Sequence, residues 1–128
     1  MNKYKKEYIS YRIVRAKESL RDAKLLAKNA RWNACVNRLY YACFYMVSAL
    51  LITHNLNSKS HSGTNVQLGL HFVKTGKLSL QHGKLFSDLM DARQKGDYGD
   101  KFDFDKKTVE ALIKPVENFL DDIELLIK

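Results

Sequence analysis

Proline occurs once in this 128-residue chain, at Pro115, and glycine only six times. Both residues punctuate turns, so their scarcity counts against a loop-rich β protein and for long helices. No window alternates apolar and polar residues with period two over a useful length, which removes the other signature of a sheet. Cysteine is equally sparse, with only Cys35 and Cys43. Eight residues apart on a helix, they would lie about 12 Å apart along the axis, too far for a disulfide. They read as reduced, buried thiols, with no Cys/His cluster nearby to make a zinc site.

Further absences narrow function. No segment approaches the ~20 apolar residues of a membrane span, and the longest uncharged candidate, residues 42–53, is too short. The opening MNKYKKEYISYR has lysines but no apolar core behind them. A signal peptide is therefore not indicated, and a cytoplasmic location is the expectation. Phosphate-cradling glycine loops, His-Glu-x-x-His and Gly-x-Ser-x-Gly are all missing. His54, His61, His71 and His82 lack metal-ligand spacing. A metal- or triad-dependent hydrolase is disfavoured, and no metal or cofactor is implied.

What remains suits one globular domain spanning residues 1–128. Hydrophobic residues make up 45% of the chain, enough for one core and far from disordered composition. The formal net charge is +8, and it is unevenly placed. Residues 1–64 carry 12 Lys+Arg against 3 Asp+Glu, a balance of +9; residues 65–128 carry 10 against 11, a balance of −1. The basic half is compatible with a polyanion or an acidic partner, or with a merely solvated face.

Apolar residues at helical spacing mark the elements. A first helix is predicted over residues 4–29, burying Ile13, Ala16, Leu20, Ala23 and Ala27. A second row on it, Lys17, Arg21, Lys24 and Lys28, is basic. Asn29 and Asn33 flank a corner at Ala30 and Arg31 and are candidate caps. The second helix, residues 32–53, is apolar nearly all round (Val36, Leu39, Tyr40, Cys43, Phe44, Val47, Leu50, Leu51), so it should be central. Arg38 is its only charge and needs a partner or a wet edge. After a polar loop at 54–64, a third helix is predicted over 65–74, closed by Thr75 and Gly76. Ser79 should cap a fourth, ending near 95–96, with Leu80, Leu85, Phe86, Leu89 and Met90 as its apolar set. Asp105 should cap the last helix, which runs to about residue 127 on Val109, Leu112, Ile113, Val116, Phe119, Leu120, Ile123 and Leu126. Pro115 should kink it. The result is an all-α, up-and-down bundle of four to five helices.

Three polar constellations stand out. In NRLYYACFY, Arg38, Tyr41 and Tyr45 share one helix face. They can hold a phosphate or a base, or Arg38 can tie the helix to a carboxylate while the tyrosines fill the core. In KSHSG, Lys59, Ser60, His61 and Ser62 can bind an anion at a helix N-terminus, or simply cap it. In DARQKGDYGD, Arg93, Asp97 and Tyr98 are either an Arg–Asp clamp or an arginine on a phosphate beside a phenol.

These segments in this order, RLYYACFYMVSALL, KSHSG and ARQKGDYGD, together with HFVKTGKLS at 71–79, resemble the HEPN domain, the higher eukaryote and prokaryote nucleotide-binding family. The similarity covers nearly the whole chain and extends to an Arg…Asp-Tyr branch of that family, through Arg93, Asp97 and Tyr98. The resemblance implies a helical bundle that dimerises, a prokaryotic source, and a minimal nucleotidyltransferase as partner in a toxin–antitoxin-like pair. Many such domains are metal-independent ribonucleases, whose motif is an Arg, a spacer of about four to six residues, and a His. Here Arg93 is followed by Gln94, Lys95, Gly96, Asp97, Tyr98, Gly99 and Asp100, and no His occurs after His82. Three readings follow. One is a nucleotide-, RNA- or partner-binding module using Arg38, Tyr41, Tyr45, Lys59, His61 and Arg93. Another is an endoribonuclease built on Arg93 with Tyr98, Asp97 or His61. The third is a helical scaffold dimer.

Overall fold

A computed structural model describes residues 2–128. Five α-helices follow one another, α1 (Lys3–Lys28), α2 (Trp32–Thr53), α3 (His61–Leu68), α4 (Leu80–Tyr98) and α5 (Lys106–Ile127), with a π-helical turn, Gly69–Val73, directly after α3. The fold is an all-α bundle. Cross-helix pairs set its directions. Lys5 at the start of α1 bonds Asn55 just past the end of α2, so these two run antiparallel. Lys17 meets Glu124 and Lys24 meets Glu117, a reversed order that makes α1 and α5 antiparallel. His82 with Asp122 and Phe86 with Phe119 do the same for α4 and α5.

α2 is the central helix and touches all four others. Eleven of its 22 residues are buried, as expected of a helix apolar nearly all round. In length and composition it also matches a membrane span, contrary to the expectation that no segment would. Its apolar side chains are spent on the core instead. The core takes Ala16 and Ala23 from α1, Phe86 and Leu89 from α4, and Val109, Val116, Phe119 and Ile123 from α5. Leu80 departs from the predicted apolar set of α4, being 81% exposed. It is the first residue of the helix and lies on the side of Gly83 and Lys84, away from the side on which His82 and Phe86 meet α5.

Capping largely follows the sequence. Ser79 accepts from the His82 amide at 3.1 Å and Asp105 from the Thr108 amide at 2.7 Å. That second bond holds the Asp105 carboxyl below its usual range. The α1–α2 corner is different. Asn29 turns back to the Leu25 carbonyl, and no side chain caps α2. Asn33 instead clamps the loop after α4, donating to the Phe102 carbonyl and accepting from the Phe104 amide, each at 2.8 Å. Ala30 closes the corner with φ of 56°, a left-handed conformation that strains any residue with a Cβ. Ala30→Gly is expected to raise stability by about 1 kcal/mol, read as a higher urea midpoint at unchanged slope.

Two element boundaries differ from the sequence reading. α3 starts at His61, four residues early, because Ser60 is the cap and accepts from the Gly63 amide at 2.9 Å. Glycine fits there because a Cβ would run into the Ser58 and Ser60 hydroxyls. The helix then widens into the π turn, closed by the Lys74 amide on the Gly69 carbonyl. α4 continues to Tyr98, past the predicted end at 95–96, so Asp97 and Tyr98 are helical residues. α5 runs through Pro115 without a break. Pro115 and Ala111 are both exposed, so water can take the carbonyl that the missing N–H leaves free.

Candidate functional site

Three helices bring polar side chains together at one place. α2 contributes Asn37, Arg38, Tyr40 and Tyr41; the first residue of α3 is His61; the last turns of α4 carry Arg93, Asp97 and Tyr98. The guanidinium of Arg93 is the centre. Its carbon lies 5.2 Å from the Tyr40 ring, 5.8 Å from Tyr41 and 5.9 Å from Tyr98. Arg93 is only 6% exposed. Its single ionic partner among the described residues is Asp97, one turn on, at a loose 3.9 Å. Its Nε is buried with no hydrogen-bond partner among the described residues. A buried charged donor left unpaired costs free energy. The aromatic faces offset part of that by cation–π attraction.

Asp97 is held from the other side. Asn37 donates through Nδ2 to its Oδ2 at 2.8 Å, while Asn37 Oδ1 accepts from Arg38 Nε at 2.9 Å. Arg38 in turn covers the Tyr41 ring at 5.0 Å and reaches no carboxylate among the described residues. Arg93, Asp97, Asn37 and Arg38 thus form one relay across α2 and α4.

His61 completes the cluster. Its Nδ1 shares a 2.6 Å hydrogen bond with the Tyr40 hydroxyl, and its ring lies 4.6 Å from Phe44 and 5.9 Å from Tyr41. Tyr40 and Tyr41 are therefore common neighbours of His61 and Arg93. Burial lowers the His61 pKa, and the Arg93 charge lowers it further. Near neutral pH the ring is uncharged. Burial raises the Tyr40 phenol pKa, so Tyr40 stays protonated. Cys43 is raised by burial and Cys35 is pushed up to about 11, which leaves both as inert core thiols.

The lowered His61 value has a consequence for stability. Its ordinary value is about 6.5, so on acidification the unfolded chain takes up this proton first. The contribution is complete above that value and is lost as pH falls below it. Wild-type stability is therefore expected to fall more steeply from about pH 7 to pH 5 than that of His61→Asn. Parallel urea-midpoint profiles for the two proteins would contradict this.

Of the residues singled out in sequence, Arg38, Tyr41, His61, Arg93, Asp97 and Tyr98 meet in this cluster. Tyr45 lies one turn along, 5.9 Å from Tyr41. Lys59 stays apart, exposed and without a polar contact among the described residues. Sequence reasoning missed Asn37, although it shares the α2 face of Tyr41 at i, i+4, and it placed Tyr40 in the core alone.

An antiparallel helical bundle with an arginine-centred polar cluster at the end of its fourth helix defines a class of small α-helical domains. The HEPN domain model matches residues 9–126, and the chain belongs to the HEPN family. A UPF0332 protein of Thermotoga maritima is 45% identical over 97% of this chain and 94% of its own length. Two proteins of Methanocaldococcus jannaschii, both named as candidate toxins, are also similar. One is 37% identical over 100% of this chain and 95% of its own length; the other is 31% identical over 93% and 80%.

Proposed function

We propose that this chain is the RNA-directed half of a toxin–antitoxin-like pair and that Arg93 binds a backbone phosphate. The observation that carries this reading is the unpartnered Nε of a nearly buried guanidinium. A guanidinium offers a planar fork of donors matched to phosphate oxygens, and Asp97 at 3.9 Å satisfies that fork poorly. Arg38 supplies a second cation at the same relay, and the rings of Tyr41 and Tyr98 are surfaces on which a base can stack. The toxin names of two relatives agree with a toxin–antitoxin-like role. A homodimer and a nucleotidyltransferase partner belong to the same proposal.

One observation favours a second reading, in which the site also cleaves RNA. His61 brings an uncharged imidazole into the Arg93 cluster from another helix, although the stretch after Arg93 contains no His. With Nδ1–H donated to the Tyr40 oxygen, Nε2 is free to take the proton of a ribose 2′-hydroxyl. That oxygen would attack phosphorus and close a 2′,3′-cyclic phosphate, the bond to the 5′-oxygen would break, and water would protonate the leaving oxygen. Arg93 would stabilise the charge on the phosphoryl oxygens.

One experiment separates the two. Wild type, Arg93→Ala and His61→Ala are incubated with labelled RNA in EDTA, and binding and cleavage are both measured. Binding lost in Arg93→Ala but kept in His61→Ala, without cleavage, supports the module. Cleavage by wild type that is lost in both variants supports the ribonuclease. Binding unchanged in Arg93→Ala would refute the phosphate site and both readings with it.

A further inference from the structure

The sequence points to Lys17, Arg21, Lys24 and Lys28 as the basic face of α1, but the structure neutralises half of it. Lys17 pairs with Glu124 at 3.2 Å and Lys24 with Glu117 at 3.5 Å. Beside Arg21 and Lys28, further free positive charge of α1 lies on a different face, nearer its start. Arg12 and Arg15 form no ion pair among the described residues, and each holds its guanidinium 5.5 Å from the ring of Tyr45 on α2. Arg12 also donates to the Tyr8 hydroxyl at 2.6 Å and lies 5.0 Å from that ring. Tyr8 and Tyr11 are about half exposed, at 48% and 54%. Over residues 2–15 the cations are Lys3, Lys5, Lys6, Arg12 and Arg15, against Glu7 alone.

We propose that this face is a track for single-stranded RNA that continues from the Arg93 site along α2. The inference rests on the reading of Arg93 as a phosphate site and extends it. Continuity is built into α2. Arg38 covers Tyr41, Tyr41 lies 5.9 Å from Tyr45, and Tyr45 lies between Arg12 and Arg15. Cations thus flank a run of rings from Arg93 to Tyr8, an arrangement that can take phosphates and stacked bases. Beyond it a polar cleft of about 120 Å³ opens between Tyr8, Arg12, Ser48, Asn57 and Ser58, whose hydroxyls and amide can meet the edge of a base.

The alternatives fit less well. Duplex RNA presents phosphates and 2′-hydroxyls with its bases already stacked, so it would leave the exposed rings unused. A symmetric dimer through this face would set the face against itself, bringing Arg12 and Arg15 against their own copies.

The test is binding of a fluorescent oligouridylate of about ten nucleotides, measured by anisotropy against salt, with a dinucleotide as short probe. Arg12→Gln with Arg15→Gln is compared with Lys17→Gln with Lys24→Gln, which removes the same charge. The first double variant is expected to weaken oligouridylate binding at least tenfold and to reduce the salt slope by about 1.4. Dinucleotide binding should stay unchanged. The second should shift affinity less than about twofold, as expected for charges already paired. Equal effects from the two doubles would show an unspecific field and overturn the track. So would unchanged oligouridylate binding in the first, or a changed oligomeric state by sedimentation, which would assign the face to a second copy. Loss of dinucleotide binding in Arg93→Ala tests the phosphate site separately. If it does not occur while the arginine double still loses oligouridylate, the Arg93 reading fails and the track stands.

Discussion

Phe86→Ala is expected to destabilise the protein by about 3–5 kcal/mol, the usual cost of deleting a fully buried phenyl ring. Phe86 has no exposed surface. Its ring stacks on Tyr40 of α2 at 5.8 Å and on Phe119 of α5 at 5.9 Å, with interplanar angles of 11° and 19°. One side chain thus ties the fourth helix to the second and fifth. Small domains hold only about 5–15 kcal/mol in all, so the variant should sit near the unfolding threshold, with Tm lowered by roughly 10 °C or more. The loss should reach the site, because Phe86 supports the ring whose hydroxyl binds His61. Leu80→Ala is the control. At 81% exposure it should change stability by less than about 0.5 kcal/mol. Chemical denaturation of both checks the contrast. A small loss in Phe86→Ala would mean that the three-ring stack contributes little.

The difference between those two residues shows how far a sequence can be read. Leu80 and Phe86 belong to one apolar set in the same helix, but six residues turn the helix by about 240°, and only the packing shows which of the two sides is covered. α2 was legible to the residue because its apolar character stops abruptly at both ends. α3 was not, since Ser60, His61, Ser62 and Gly63 have turn composition, and only the Ser60 cap on the Gly63 amide makes them a helix start. The basic row of α1 was legible as a row, yet its neutralisation depends on Glu117 and Glu124, about a hundred residues away. The site divides in the same way. Arg93, Asp97 and Tyr98 are neighbours in sequence and were found as a motif. The junction of His61 with Tyr40 is a tertiary event, 21 residues apart and across a loop, and spacing cannot announce it.

Arg93→Met separates a functional arginine from a structural one. Methionine keeps most of the length and the apolar stem, and its sulfur can lie against the rings of Tyr40 and Tyr41. The change removes a charge that is 6% exposed and an Nε without a partner. What it leaves behind is Asp97, whose side chain retains 25% exposure and a 2.8 Å bond from Asn37, so that carboxylate is not stranded. Replacing a poorly paired buried ion with an apolar side chain of similar volume is neutral, or stabilising by about 1–4 kcal/mol. Removing a partner that the fold needs costs about 3–5 kcal/mol instead. The phosphate-site reading therefore expects a protein at least as stable as wild type whose affinity for single-stranded RNA has dropped by tenfold or more, the order of one lost charge-assisted contact. His61 should report the same change independently. Without the neighbouring positive charge its pKa should rise toward the ordinary imidazole value, visible by NMR titration of the ring protons. A destabilised variant with unchanged RNA affinity would identify Arg93 as a packing residue and remove the phosphate from the site.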